Sequence, residues 1–270
     1  MLLAFYIFIF IFGSIIGSFL NCLIWRLHTG ESMWGRSHCP KCKKMIAWHD
    51  NIPVFSFIML KGKCRYCHKS ISWQYPAVEV ITGLLFVIAW VSELRIMNYE
   101  LWFYPDFVIH NSLFIIHIFR DWFLISVMMI IFIYDLRWYL ILDIVTLPAA
   151  AILLALNLML GHSWQTLLFS AIIGSSFFLI QFVISKGRWI GGGDIRLGFL
   201  IGLALGWPNT LVAIFLAYFI GSIAGLGLIA SKRKKWGSEI PLGVFLSLGT
   251  IITLFWGDRI LNWYLNIFKF

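Results

Sequence analysis

The chain has 270 residues, of which 61% are hydrophobic and only 12% are charged. Soluble domains are about 45–50% apolar and about 25% charged, and even a large domain buries only about three quarters of its unfolded surface. The composition therefore excludes an ordinary soluble domain and indicates a polytopic membrane protein. The net charge of +9 would suit a nucleic-acid-binding face, but the basic residues lie in loops between apolar segments, so we expect no nucleic-acid partner.

Eight apolar segments approach the length of about 20 residues that a helix needs to cross a bilayer. The first has no basic stretch before its apolar run and is longer than a signal-peptide core, so we expect it to be retained. The pattern predicts an all-α membrane protein with a first transmembrane helix (1–25), a cytoplasmic loop (26–76) and a seven-helix core (77–270). The eight spans are predicted near residues 2–25, 77–93, 113–134, 141–160, 165–185, 195–207, 209–230 and 241–257.

The distribution of basic residues orients these spans. If the N-terminus is periplasmic, 17 of the 21 Lys and Arg residues lie on the cytoplasmic side, 16 of them in loops and Arg196 at the start of the sixth span. Membrane proteins carry their excess of Lys and Arg in those loops. The charges therefore support this orientation, and we expect the basic 26–76 loop to contact anionic membrane lipid.

Four of the five cysteines form two short pairs, Cys39 with Cys42 and Cys64 with Cys67, inside the predicted cytoplasmic loop. Four thiolates that converge from two such pairs suit tetrahedral Zn²⁺. Disulfides or free thiols are the alternative, and the reducing cytoplasm disfavours disulfides. A catalytic zinc keeps one ligand position open, whereas four cysteines fill every position. The sequence therefore predicts a structural zinc site that stabilises a loop with little core of its own.

Two aspartates lie at the predicted cytoplasmic ends of apolar spans. Asp135 closes the third span, and Asp194 follows Gly191, Gly192 and Gly193 at the start of the sixth. Ionisable residues at this depth usually face a cavity or a partner. Two adjacent carboxylates share one proton, so one can activate water while the other polarises a carbonyl. The alternative is that Asp194 is only a helix N-cap.

Several short blocks of polar, glycine and proline residues are spread over most of the chain. They are Gly17-Ser18-Phe19-Leu20-Asn21 with Arg26-Leu27, Cys39-Pro40-Lys41-Cys42, Asp50-Asn51-Ile52-Pro53, Cys64-Arg65-Tyr66-Cys67, Tyr75-Pro76 with Glu79, Asp135, Asp143-Ile144-Val145-Thr146-Leu147-Pro148, Gly191 with Gly193-Asp194, and Glu239-Ile240-Pro241-Leu242-Gly243 with Phe245. In this order they resemble the bacterial type IV prepilin peptidases, also called leader peptidase/N-methyltransferases.

The resemblance implies an enzyme of the bacterial inner membrane whose active site faces the cytoplasm. Such an enzyme cuts the basic leader peptide from type IV prepilins or secretion pseudopilins after a glycine. Asp135 and Asp194 take the positions of the family's two essential acids. Family members with the four-cysteine loop usually also methylate the new N-terminus from S-adenosylmethionine, so the resemblance implies this second activity. It does not indicate the oligomeric state or the residues that bind the methyl donor.

Some positions depart from the family's pattern. Arg137 replaces a second acid, Leu142 a proline, Trp189 a glycine and Arg196 a lysine. We expect Arg137, Asp143 and Arg196 to line the active-site loop together with the three glycines. Arg137 would either favour the ionised form of Asp135 or contact substrate, although a surface-directed arginine is the simpler expectation.

Two rival functions use the same features. A proton-coupled transporter would use Asp135 and Asp194 as proton carriers. A zinc-stabilised membrane scaffold would carry out no chemistry.

Overall fold

A computed structural model describes residues 2–96, 112–235 and 238–267. Within these residues the regular structure is helical, apart from two isolated β-bridges between His38 and Met45 and between Lys63 and Ser70. The helices are α1 (Leu2–Thr29), α2 (Phe55–Met59), α3 (Gln74–Ile96), α4 (Ser112–Trp138), α5 (Asp143–Met159), α6 (Trp164–Ser185), α7 (Gly192–Leu205), α8 (Asn209–Ala230) and α9 (Leu242–Ile267), with a 3-10 helix at Trp48–Asn51. The predicted all-α architecture is confirmed.

Six of these helices, α1, α3, α4, α6, α8 and α9, are long and apolar enough to cross a membrane. The chain is therefore a multi-pass membrane protein. The remaining two predicted spans, 141–160 and 195–207, form the shorter helices α5 and α7. At about 1.5 Å per residue, α5 and α7 are about 26 and 21 Å long, less than the hydrocarbon thickness of about 30 Å.

The described residues belong to two compact units, 1–98 and 99–270. In the first unit α1 packs closely on α3, as the small residues in the first span indicate. A Cβ atom added to Gly13 would lie 2.9 Å from Gly83 Cα, and one added to Gly17 would lie 2.9 Å from Glu79 Cα. The predicted division at residues 25 and 76 stays a prediction.

In the second unit α7 is the buried centre. Leu197, Leu200 and Ile201 are fully buried, because α7 lies directly against α6: a Cβ on Gly198 would lie 2.5 Å from the Gly174 carbonyl oxygen. From α5, the Asn157 side chain donates to the Leu203 carbonyl at 2.7 Å. A helix enclosed by other helices need not match the bilayer thickness, which accounts for the shortness of α7.

Candidate active site and metal centre

Asp135 lies in the last turn of α4 and is only 4% exposed. Its Oδ2 atom accepts a hydrogen bond from the backbone N–H of Val244 at 3.1 Å, and the N–H of Gly243 also faces the carboxylate. A buried carboxylate is costly unless it is hydrogen-bonded, and the first N–H groups of a helix have no partner inside that helix. The start of α9 therefore supplies the donors that hold Asp135.

Asp194 lies in the first turn of α7 and is 7% exposed. Its Oδ2 atom accepts a hydrogen bond from the backbone N–H of Gly191 at 2.9 Å. The N-cap residue of α7 is Gly191, and Asp194 at position N3 accepts the Gly191 N–H in a capping box. Asp194 therefore takes part in capping α7, although it is not the N-cap residue itself. The charge of Asp135 acts on Asp194, which places the two buried carboxylates within electrostatic reach of each other.

The loop between α4 and α5 lies between the two helix ends that hold the acids. A Cβ on Gly193 would lie 2.9 Å from Ile141 Cβ, and a Cβ on Gly243 would lie 3.2 Å from Ile141 Cδ1 and 2.9 Å from Asp135 Oδ2. Ile141 therefore contacts α7 and α9 beside the acids, and glycine at positions 193 and 243 permits this approach.

Two polar contacts connect the same loop to its surroundings. Arg196 Nη1 donates to Asp143 Oδ1, and both side chains are nearly half exposed. Lys234 Nζ donates to the Tyr139 hydroxyl at 3.2 Å and lies 5.4 Å from the centroid of that ring. Pairs this exposed contribute at most about 1 kcal/mol, so we assign them an orienting role.

The structure brings most of the predicted site residues together around this loop: Asp135, Asp143, Gly191, Gly193, Asp194 and Arg196. Two are placed differently. Gly192 is exposed with open space beside its Cα, and Arg137 is exposed with its guanidinium 5.7 Å from the Trp138 ring centroid. Arg137 thus lies over its own helix neighbour, as expected for a surface-directed arginine.

Three residues beside the acids were not among the predicted site residues. Ile141 and Val244 are ordinary apolar residues, and their contacts depend on tertiary packing that a single sequence does not reveal. Gly243 carried a signal, because it closes the Glu239-Ile240-Pro241-Leu242-Gly243 block that contributes to the family resemblance.

The four paired cysteines converge in the first unit. The Sγ atoms of Cys39, Cys42, Cys64 and Cys67 all lie within 4.8 Å of one another. Tetrahedral Zn²⁺ with bonds of about 2.3 Å requires sulfur–sulfur distances of about 3.8 Å, so a small contraction suffices. The residues present fit a four-thiolate metal site.

Each cysteine pair lies on a turn of the same design. Cys39 N–H donates to the Lys44 carbonyl at 2.9 Å, and Cys64 N–H donates to the Lys69 carbonyl at 2.9 Å. The residue after each pair, Lys43 or His68, has a positive φ. The two turns are related by an offset of 25 residues, so two equivalent knuckles each present two sulfur atoms to one point.

The backbone N–H groups around the sulfur atoms favour thiolates, whereas the neighbouring thiols oppose them at Cys42. The backbone N–H of Cys67 lowers the pKa of the Cys64 thiol to about 7, although burial opposes it. At Cys42 the Lys44 N–H also lowers the thiol pKa, but burial and the other three cysteines outweigh it and raise the pKa to about 11. A dication removes this conflict because it stabilises all four thiolates together.

A bidentate ion pair between a half-exposed arginine and a largely covered aspartate supports the same loop. Arg65, inside the second knuckle, donates to both carboxylate oxygens of Asp50 at 2.7 and 2.6 Å. These hydrogen bonds and the Arg65 charge lower the pKa of Asp50. The bidentate pair connects the 3-10 helix to the second knuckle.

Comparisons with known proteins cover both units. Residues 11–92 match the bacterial peptidase A24 N-terminal domain, and residues 122–226 match the type IV leader peptidase family. The comparison with solved structures found no match.

Curated relatives are similar over nearly the whole chain. A prepilin leader peptidase/N-methyltransferase from Aeromonas salmonicida is 30% identical, with 96% of this chain and 93% of that protein covered. Proteins of the same description from Bacillus subtilis (30% identical, 96% and 97% covered) and Pseudomonas aeruginosa (28% identical, 99% and 96% covered) are also similar.

Proposed function

Because the chain belongs to the type IV leader peptidase family and is a peptidase with N-methyltransferase activity, we propose that it cleaves prepilins or pseudopilins with Asp135 and Asp194. The observation that carries the proposal is the pair of buried acids. Each is held through Oδ2 by a backbone amide at a helix end, and each is within electrostatic reach of the other. Burying two like charges near each other is costly, and carboxylates in such surroundings are concentrated at functional sites.

The chemistry follows from this arrangement. Two buried carboxylates share one proton, because ionising both in a low-dielectric site is unfavourable. The ionised acid takes a proton from water as the oxygen attacks the scissile carbonyl, and the protonated acid donates a hydrogen bond to the carbonyl oxygen. The acid that took the proton from water then gives it to the amide nitrogen of the leaving segment as the C–N bond breaks, which restores the starting protonation of the pair. No covalent intermediate is needed.

The proposed substrate class rests on the family to which the chain belongs and on the position of the two acids at the ends of apolar helices. Both acids lie at the ends of apolar helices, where the leader of a membrane-anchored pilin would meet its apolar segment. We propose that the basic leader is cut after a glycine at the cytoplasmic face of the inner membrane. The N-terminus would then be periplasmic, with eight spans that include the short helices α5 and α7.

The relatives' names include N-methyltransferase, and S-adenosylmethionine is the methyl donor that this activity implies. We assign no donor site to the Gly191–Gly193 run, because it lacks the strand–turn–helix setting of a dinucleotide loop and its first N–H is bonded to Asp194. When bound, S-adenosylmethionine would supply a methyl group to the new amino terminus. Zn²⁺, held by Cys39, Cys42, Cys64 and Cys67, would stabilise the loop and take no part in peptide cleavage.

Purified full-length protein incubated with a prepilin in detergent tests the proposal. We expect a shortened pilin that starts after the leader glycine, with an N-terminus one methyl group heavier when S-adenosylmethionine is supplied. An uncut prepilin under conditions where the protein is folded would contradict the peptidase assignment. That result is the one expected for a proton-coupled transporter or a scaffold.

A further inference from the structure

Helix α2 lies beside the start of α3, the second of the long apolar helices. The backbone N–H of Val54 donates to Glu79 Oε2 at 2.7 Å, and the Phe57 ring packs on the Trp73 ring with centroids 4.8 Å apart. Trp73 directly precedes α3, and Glu79 lies in its second turn. These contacts hold α2 at the depth at which α3 begins.

The other large side chains of α2 point away from the protein. Phe55, Ile58 and Met59 are 55%, 66% and 67% exposed, and α2 contains no buried residue. Burial of each such side chain would contribute about 1.5–3 kcal/mol, so a short helix gains nothing by presenting three of them to water. At the depth where a span begins, the medium is the headgroup region of the bilayer.

The charge of the surrounding loop selects the kind of membrane. Residues 26–76 carry nine Lys and Arg residues against two acids, Glu31 and Asp50. Four thiolates with one Zn²⁺ would add two negative charges and leave the loop basic. Each Lys or Arg near an anionic membrane contributes about 1 kcal/mol to binding, whereas a basic prepilin leader would be repelled. Charge therefore favours lipid over substrate as the occupant of this surface.

We propose that α2 is an interfacial anchor whose face of Phe55, Ile58 and Met59 inserts into the headgroup region of an anionic bilayer. The Lys and Arg residues of the same loop bind the lipid phosphates. The anchor rests on the membrane placement of α3 and not on the peptidase chemistry, so either proposal can fail without the other. It holds the metal-binding loop against the membrane beside the point at which α3 enters.

Photo-crosslinking from two matched positions tests the anchor. p-Benzoylphenylalanine replaces Phe55 in one variant and Phe57 in the other, in the full-length protein reconstituted in phosphatidylglycerol/phosphatidylcholine nanodiscs. Both positions are phenylalanines of one helix, so the probes share a depth and differ in direction. We expect protein–lipid adducts from position 55 by intact mass. Position 57 should give links within the loop and several-fold fewer lipid adducts.

Other crosslinking outcomes would contradict the anchor. Links from position 55 to residues 112–267 or to a second copy, without lipid adducts, would overturn the anchor and show that protein covers this face. Equal lipid yields from both positions would also contradict an oriented anchor. In a second arm, Ile58→Glu or pure phosphatidylcholine nanodiscs should lower the lipid yield at position 55 several-fold, and an unchanged yield in both would contradict the proposal.

Discussion

The Oδ2 atom of Asp135 accepts a hydrogen bond from the backbone N–H of Val244 at 3.1 Å. The acid belongs to α4 and the donor to the first turn of α9, so the start of α9 forms part of the environment of a carboxylate that lies 109 residues earlier in the chain. Favourable charge at helix N-termini adds to the hydrogen bond. The candidate active site thus includes α9 as well as the two helices that carry the acids.

A substitution of Gly243 tests whether the start of α9 positions the Asp135 carboxylate. A Cβ at this position would lie 2.9 Å from Asp135 Oδ2, so we expect Gly243→Ala to displace the carboxylate. Misplacement of a catalytic group by about 1 Å lowers the rate about 100-fold, and the rate of prepilin cleavage measures it. Gly227→Ala on α8, where a Cβ would meet open space, is the control and should keep its rate. Equal rates for the two variants would show that α9 does not hold Asp135.

The Asp143–Arg196 pair should matter far less than the two acids. Both side chains are nearly half exposed, and exposed pairs contribute at most about 1 kcal/mol. We expect Asp143→Asn and Arg196→Lys each to reduce cleavage by less than about tenfold, which is the factor that 1.36 kcal/mol corresponds to. A loss as large as that from replacing Asp135 would instead place Arg196 or Asp143 in the chemistry.

Composition and motif order were sufficient to predict a helical membrane protein and its family. The two acids and the paired cysteines could also be found, because charged residues and cysteines in apolar sequence have few uses. The predicted end of the third span at residue 134 stopped one residue before Asp135, whereas α4 continues to Trp138. The reason is that Asp135 is satisfied by α9, a partner that hydropathy along one helix does not show.

The packing partners of the site could not be predicted. Ile141 contacts Gly193 and Gly243, which lie 52 and 102 residues further along the chain. Nothing in the sequence distinguishes this isoleucine as a residue that packs beside the two acids. The hydrogen bond from the Val54 N–H to Glu79 likewise could not be predicted from the sequence. By contrast, the 25-residue offset between the two cysteine pairs was visible in the sequence and predicts two equivalent knuckles.

Removal of the metal site should affect the loop and spare the chemistry. We expect about one Zn²⁺ per chain by elemental analysis in the unaltered protein and none in Cys42→Ser. Proteolysis within residues 26–76 should become faster, because the knuckles lose their common centre, while cleavage of prepilin persists. Cys22→Ser, outside the cluster, is the matched control. If Cys42→Ser kept its metal, the four-thiolate site would be wrong.

The Asp50–Arg65 pair gives the loop a defined dependence on pH. The pKa of Asp50 is lowered in the folded protein by its hydrogen bonds to Arg65. The stabilisation that this pair gives the folded loop is therefore complete above the ordinary Asp pKa of about 3.9. It is lost as pH falls through the lowered pKa of Asp50 in the folded protein. Amide exchange in residues 48–67 should be faster in Asp50→Asn than in the unaltered protein at pH 7. The difference in exchange rate between the two proteins should disappear in strong acid. A difference that increased there would contradict the assigned direction of the Asp50 pKa shift.

The most direct test replaces each buried acid by its neutral isostere. We expect Asp135→Asn and Asp194→Asn each to abolish prepilin cleavage, since the shared proton cannot be moved with one carboxylate missing. Asp258→Asn, an exposed acid on α9 that bonds Asn209, should keep full activity. If either Asp135→Asn or Asp194→Asn cleaves prepilin at the rate of the unaltered protein, the two carboxylates are not the catalytic pair.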